Sequence, residues 1–239
     1  MNETSFRLRI EYGKTGRLRY LSHLEVIRAL ERTVRRAQLP FILSKGFNVH
    51  MRHAFGPALP VGTAGLQERF DVWLSEYIPA KEALARLRAV AVADIPIMAA
   101  EYCALSDPSV EASITQARYD AHVDFHDMQA AQDFIVKLHE LCAKGEITIT
   151  KKGKHRRIDL AEQLCEMPVA LLCEKESVEQ VAEKSSVGST EASDVRVAIR
   201  FELLATANGF LRPESLLHAV CANVHIHELT RTTICYLSH

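Results

Sequence analysis

Apolar and polar residues alternate along FRLRIEY, which puts Phe6, Leu8, Ile10 and Tyr12 on one face and predicts a half-buried strand. The loop GKTGRLRYL follows. SHLE then has the form of a capping box, with Ser22 as cap and Glu25 reaching back. From there a helix is predicted to about Gln38, stopped by Pro40, with Leu24, Ile27, Leu30, Val34 and Ala37 as its buried stripe. PFILS reads as a short strand, and QERFDVWLSEY as a strand with Phe70, Val72 and Leu74 inward. PAKEALARLRAVA is a helix opened by Pro79, and IPIMAAEYCAL a strand. Strand, helix, two strands, helix, strand is the ferredoxin-like order.

SDPSVEAS, residues 106–113, marks a boundary, after which the pattern restarts. ARYDAHVDF alternates as a strand. MQAAQDFIVKLHELCAKG is a helix ending at Gly145, a residue suited to a left-handed C-cap. EITITKKGKHRRIDL predicts two strands around a basic turn, and PVALLCE another strand. The Glu/Ser-rich segment 174–194 predicts a flexible acidic loop. VRVAIRFELLATA (strand), RPESLLHAVCA (helix) and HIHELTRTTICYL (strand) complete the chain. The fold class expected is α+β, two tandem ferredoxin-like units with antiparallel sheets, residues 1–108 and 109–239.

One segment does not fit a simple connection. Ser44 to Gly62 holds three of the ten glycines, two of the eight prolines, and Lys45, His50, Arg52 and His53. A hairpin needs about two to five loop residues. Nineteen residues predict a shaped loop whose glycines permit close approach of backbone to a ligand.

Charge sharpens this. Net charge is −1, yet residues 1–62 carry eleven Lys/Arg against four Asp/Glu, a balance of +7, leaving −8 for the remainder. Such polarity is a candidate footprint for an anionic partner, with nucleic acid foremost. At 100° per residue Arg28, Arg32, Arg35 and Arg36 share about a third of the first helix, opposite its apolar stripe. Guanidinium forks suit phosphate oxygens. The predicted nucleic-acid-binding set is therefore Arg28, Arg32, Arg35, Arg36, Lys45, His50, Arg52 and His53. Lys151, Lys152, Lys154, Arg156 and Arg157 of KKGKHRR join it. The bland alternative for each is a solvated charged face.

Other chemistry is sparse. The six cysteines form no C-x-x-C pair, and the expectation is reduced, mostly buried thiols without metal or cofactor. The pairs His50/His53, His122/His126 and His225/His227 lack the context of a metal motif. His50 or His53 as general acid/base of an endoribonuclease is a minor alternative, with no catalytic residue assigned. P-loop, dinucleotide and nucleophile-elbow motifs are missing. The opening MNETSFRLRIEYG lacks the layout of a signal peptide, and no run of 18 apolar residues occurs, so a cytoplasmic location is expected.

RLRYLSHLE, IRALERTVRRAQLP, SKGFNVH and ALPVG together resemble the signature of the radical-SAM-linked bacterial proteins. GFLRPESLL and LTRTTI resemble it more loosely. The chain departs from that family's pattern at Val49 and Met51, where prolines are common. The resemblance implies a partner, a radical S-adenosylmethionine enzyme with a cobalamin-binding-like domain. This chain lacks the C-x-x-x-C-x-x-C triad, so it would not generate the radical itself. The architecture is also similar to that of tandem ferredoxin-like CRISPR RNA-processing proteins. The combined expectation is an RNA-binding accessory protein, without catalysis of its own, that presents substrate to a radical-SAM enzyme. The alternative is a module that docks this enzyme without RNA.

Overall fold

The computed structural model describes residues 5–45, 47–151, 154–174, 195–206 and 209–236. It is a mixed α+β structure, mainly antiparallel, that divides into two units, Met1–Thr115 with Thr230–His239, and Gln116–Leu229.

The first unit begins with β1 (Phe6–Lys14), a 3-10 turn (Gly16–Tyr20) and α1 (His23–Arg36). It continues through β2 (His53–Phe55), β3 (Ala64–Leu74), α2 (Ala80–Val90), β4 (Ile97–Cys103) and the single turn α3 (Val110–Ser113). Strand order is β4-β1-β3, and β2 pairs with β3 opposite Phe70 to Val72. These pairings are antiparallel. The C-terminal strand β10 (His225–Tyr236) lies parallel to β3, with Thr230 and Arg231 beside Ala64 and Gly65.

The pleat explains the core. Leu8, Ile10 and Tyr12 of β1 and Phe70, Val72 and Leu74 of β3 share the face on which both helices pack. α1 contributes Val26, Leu30, Val34 and Ala37, and α2 contributes Ala83 and Leu87. Full burial of each such aliphatic chain is worth about 1.5–3 kcal/mol. The stripe of α1 differs from the expected one, since Leu24 is exposed and Val26 takes its place. A row through 26, 30, 34 and 37 follows the helical period, and Thr33 joins it with its hydroxyl bonded to the Ala29 carbonyl at 3.1 Å. Glu25 accepts from the Ser22 backbone N–H at 2.8 Å, as the SHLE pattern requires. The helix stops where Gln38 takes a positive φ of 52°.

The expected strand 40–44 is replaced by single bridges, Phe41 to Leu74 and Leu43 to Met51. The named edge strand lies further on, at His53–Phe55. Ile42 to Arg52 instead form a two-sided arm, with Arg52 N–H donating to the Ile42 carbonyl (2.8 Å) and Ser44 N–H to that of His50 (2.7 Å). Met51 is buried at its base, while Phe47 at its tip is fully exposed.

The opposite face of the first sheet carries Arg7, Arg9 and Asp71, all buried. Asp71 accepts from Nε of both arginines, at 2.9 and 2.8 Å. The guanidinium of Arg7 also donates to the carbonyls of Asp107 (2.7 Å) and Pro108 (2.8 Å). The segment expected as a boundary is thus bonded onto the sheet, and Val110 within it is fully buried.

The second unit runs β5 (Ile114–Phe125), α4 (Met128–Lys144), β6 (Glu146–Lys151), β7 (Lys154–Asp159), β8 (Val169–Glu174), β9 (Val195–Leu204), α5 (Pro213–Val220) and the start of β10. Its strand order is β10-β5-β9-β8. β5 and β9 pair over ten positions, from Gln116 opposite Leu204 to Phe125 opposite Val195. Asp127 caps α4 by accepting from Ala130 N–H at 2.7 Å, and Gly145 ends it at φ 78°. β6 and β7 form a separate hairpin. Of the expected acidic loop 174–194, residues 175–194 lie outside the described residues. All six cysteines are free thiols, but none is buried: Cys165 and Cys221 are exposed and the other four half-buried. This is contrary to the expected burial. Among the described residues no helix is long and apolar enough to cross a membrane.

Candidate functional site

Two cationic features of the first unit stand out, one open and one enclosed. The open one is the outer side of α1. Arg28, Arg32, Arg35 and Arg36 are all exposed there, because the helical period turns them away from the Val26–Leu30–Val34 stripe. Both acids of the helix are occupied elsewhere. Glu25 is tied to Ser22, whose hydrogen bonds, with a smaller pull from the Arg28 charge, hold its carboxyl below the usual range. Glu31 lies 3.2 Å from His53 Nε2. Among the described residues no ion pair engages the four guanidinium groups, and Arg35 lies over the Phe41 ring at 4.7 Å.

The arm adjoins this face through the Arg35–Phe41 and Glu31–His53 contacts. Lys45 and His50 are exposed on it. His50 Nδ1 is 3.0 Å from both the Ser44 hydroxyl and the Asn48 carbonyl, and its ring lies 6.0 Å from that of His53. Arg52 goes elsewhere. Strand alternation sends it to the sheet face opposite the helices, over the Trp73 ring at 4.6 Å. The structure therefore groups Arg28, Arg32, Arg35, Arg36, Lys45, His50 and His53 and separates Arg52 from them by the sheet.

The other predicted bases belong to the second unit. Arg156 and Arg157 are exposed on β7, and Arg157 pairs with Glu146. Lys151 and Lys154 close the ends of β6 and β7, and Lys152 lies outside the described residues. His122 pairs with Glu228 at 3.6 Å, and His227 approaches Asp124 at 3.4 Å. Asp124 is itself held by Arg196 at 2.7 Å. Among the described residues no group of three or more His, Cys, Asp or Glu is arranged to hold a metal ion.

The enclosed feature was not anticipated. Lys14 (1% exposed), Glu68 (3%) and Arg231 (2%) meet at one end of the first unit's core. Arg231 Nε donates to Glu68 Oε1 at 2.8 Å, a second guanidinium nitrogen bonds Oε2, and that nitrogen also donates to the Pro57 carbonyl at 2.9 Å. Lys14 Nζ donates to the Pro60 carbonyl at 3.3 Å. Beside them is a cavity of about 10 Å³, lined by Tyr12, Lys14, His23, Val26, Pro57, Leu59 and Glu68. Burial lowers the Lys14 ammonium to about 8, against the pull of Glu68. Burial, with Lys14 nearby, lowers the His23 imidazole too, and burial raises the Tyr12 phenol.

Two glycines make this corner possible. Gly62 takes φ 89° and donates its N–H to the Arg19 carbonyl at 3.0 Å, fastening segment 56–62 to the 3-10 turn. At Gly65 a Cβ would sit 2.5 Å from a Leu59 methyl and 2.6 Å from Glu68 Oε1. Both charged strand residues were legible as anomalies. Lys14 continues the inward row Leu8, Ile10, Tyr12, and Glu68 precedes the inward row Phe70, Val72, Leu74. A charge at a core-facing position of an alternating strand is the signal that finds them.

Among solved structures, a Cbf5-Nop10-Gar1 complex aligns at 14% identity over 95% of this chain and 48% of that one, with a TM-score of 0.47. An H/ACA RNP bound to a substrate RNA containing 2'-deoxyuridine gives 13% identity, 95% and 47% coverage, and a TM-score of 0.45. A protein titled as unknown from Galdieria sulphuraria gives 9% identity, 96% and 100% coverage, and a TM-score of 0.25. This chain spans about half the length of the first two. No curated protein matches the chain. The family described as "Uncharacterized protein conserved in bacteria (DUF2344)" matches residues 7–212, and the chain belongs to that family.

Proposed function

We propose that this protein binds RNA on the outer side of α1 and the adjoining arm, as an accessory that presents substrate to a radical-SAM enzyme. One observation carries the RNA part. Four exposed arginines lie on one helix against two acids, Glu25 and Glu31, whose close contacts are with Ser22 and His53, so the face keeps an excess of positive charge. Phosphate oxygens accept bidentate bonds from such forks, and a nucleic-acid backbone supplies them in a row. The radical-SAM part is supported by the signature resemblance in residues 17–62. The same reading takes each unit as ferredoxin-like, supported by matching strand orders, β4-β1-β3-β2 and β10-β5-β9-β8, with β6–β7 an inserted hairpin in the second. An experimental structure with β2 away from the β3 edge would contradict it.

RNA binding is tested by fluorescence anisotropy with single-stranded RNA across a salt series. With about five phosphates neutralised, log K falls against log salt with a slope near −3.5. Arg32→Glu with Arg35→Glu weakens binding by at least about tenfold. Affinity independent of salt, or no binding below about 10 μM in low salt, rejects the proposal.

A second reading is favoured by Phe47. This fully exposed aromatic tip, with Val49 and Leu43 also exposed, is an apolar feature that a protein partner would cover. In that reading the arm docks the radical-SAM enzyme without RNA. Co-purification that survives nuclease and is lost on Phe47→Ser supports it. Loss with nuclease alone removes it.

A further inference from the structure

We propose that the cavity beside Lys14, His23 and Glu68 is an oxyanion site that receives one oxygen of a phosphate group. The charges set the need. Glu68 has both oxygens bonded by Arg231, so this corner holds two cations, Lys14 and Arg231, against one carboxylate. The corner therefore carries one excess positive charge, and the Lys14 ammonium, 1% exposed, has three donors and a 3.3 Å bond to the Pro60 carbonyl. A buried charge without a counter-charge is costly, and an anion relieves that cost.

The space sets the ligand. About 10 Å³ is the volume that admits one oxygen-sized group. A tetrahedral phosphate can place one oxygen there and leave the others outside. The less buried lining residues are His23 and Pro57, so the remainder of the group lies on their side. His23, whose imidazole pKa is lowered by burial and by Lys14, offers an N–H to an oxyanion in its neutral form as well. Glu68 is the one acid lining the cavity, and both of its oxygens accept from the Arg231 guanidinium. A metal cation is disfavoured by the same net positive charge.

This site rests on the cavity and is independent of the arginine face. Thermal unfolding of the full chain, titrated with inorganic phosphate at constant ionic strength, tests it. The wild-type midpoint rises with phosphate, that of Lys14→Met stays flat, and that of Arg32→Glu with Arg35→Glu rises as in wild type. In wild type, phosphate also raises the Lys14 titration midpoint by about one pH unit, read by side-chain NMR, so the result does not depend on the variant folding. A dinucleotide with a 5′-phosphate, set against one with a 5′-hydroxyl, separates the sources. Response to the first alone assigns a terminal phosphate, response to both assigns the diester, and response to neither assigns free phosphate. A flat wild-type midpoint, an equal rise in Lys14→Met, or an unmoved Lys14 titration overturns the site.

Discussion

Two groups of arginines in the first unit contrast sharply, and the contrast shows how charge counting misleads. Arg7, Arg9 and Arg231 are buried and saturated, the first two on Asp71 and the third on Glu68. Arg28, Arg32, Arg35 and Arg36 are exposed on α1. The +7 balance of residues 1–62 mixes both kinds. Part of that charge is inside the protein and serves stability, and only the remainder is offered to a partner. Context assigns the role: two pleated strands put one arginine row against an acid, and a helical period puts the other in water.

The contrast is tested most severely at Asp71. Asp71→Ala leaves two buried guanidinium groups without a carboxylate, and a loss of about 3–5 kcal/mol is expected in urea unfolding. A loss under 1 kcal/mol would place Arg7 and Arg9 with the exposed group.

Lys14 comes next. Its folded-state pKa is about 8 against an ordinary 10.5, so the protonated amine is penalised in the fold. The penalty is complete below pH 8 and disappears as pH rises to about 10.5, where both states are deprotonated. Wild type should therefore gain on the order of 3 kcal/mol relative to Lys14→Met across that window. Parallel stability–pH curves for the two proteins would contradict the burial of a charged amine.

Gly65→Ala drives a methyl into Leu59 and the Glu68 carboxylate, with an expected cost of about 1–3 kcal/mol in thermal unfolding. The smallest effect belongs to the helix. Arg28→Ala with Arg32→Ala should leave stability within about 0.5 kcal/mol, as for surface positions. A larger loss would show that these side chains hold the fold.

Much of the fold was legible because its signals are local. The alternation of β1, the SHLE cap, Gly145 and Pro213 each act within a few residues, and each element stands where they place it. The failures occur where tertiary packing decides. Leu24 and Val26 are both apolar neighbours of one helix turn, and only the sheet beneath selects Val26. PFILS has the composition of a strand, but its end of β3 is shared with the arm, so the regular edge pairing falls to His53–Phe55. The arginine face was legible from helical period alone. The misplacement of Arg52 was not, since its strand was assigned elsewhere. Lys14 and Glu68 carried a local anomaly, but nothing in the sequence pairs Glu68 with Arg231.

That pair also has a history during synthesis. Glu68 and Arg231 are 163 residues apart in the chain. At roughly 5–20 residues per second, a growing chain carries Glu68 for on the order of ten seconds before its bidentate partner exists. Through that interval the corner beneath segment 56–62 holds an acid with no arginine to receive it. The ribosome therefore releases the first unit in two instalments: a sheet and two helices early, and the guanidinium that grips their buried carboxylate late.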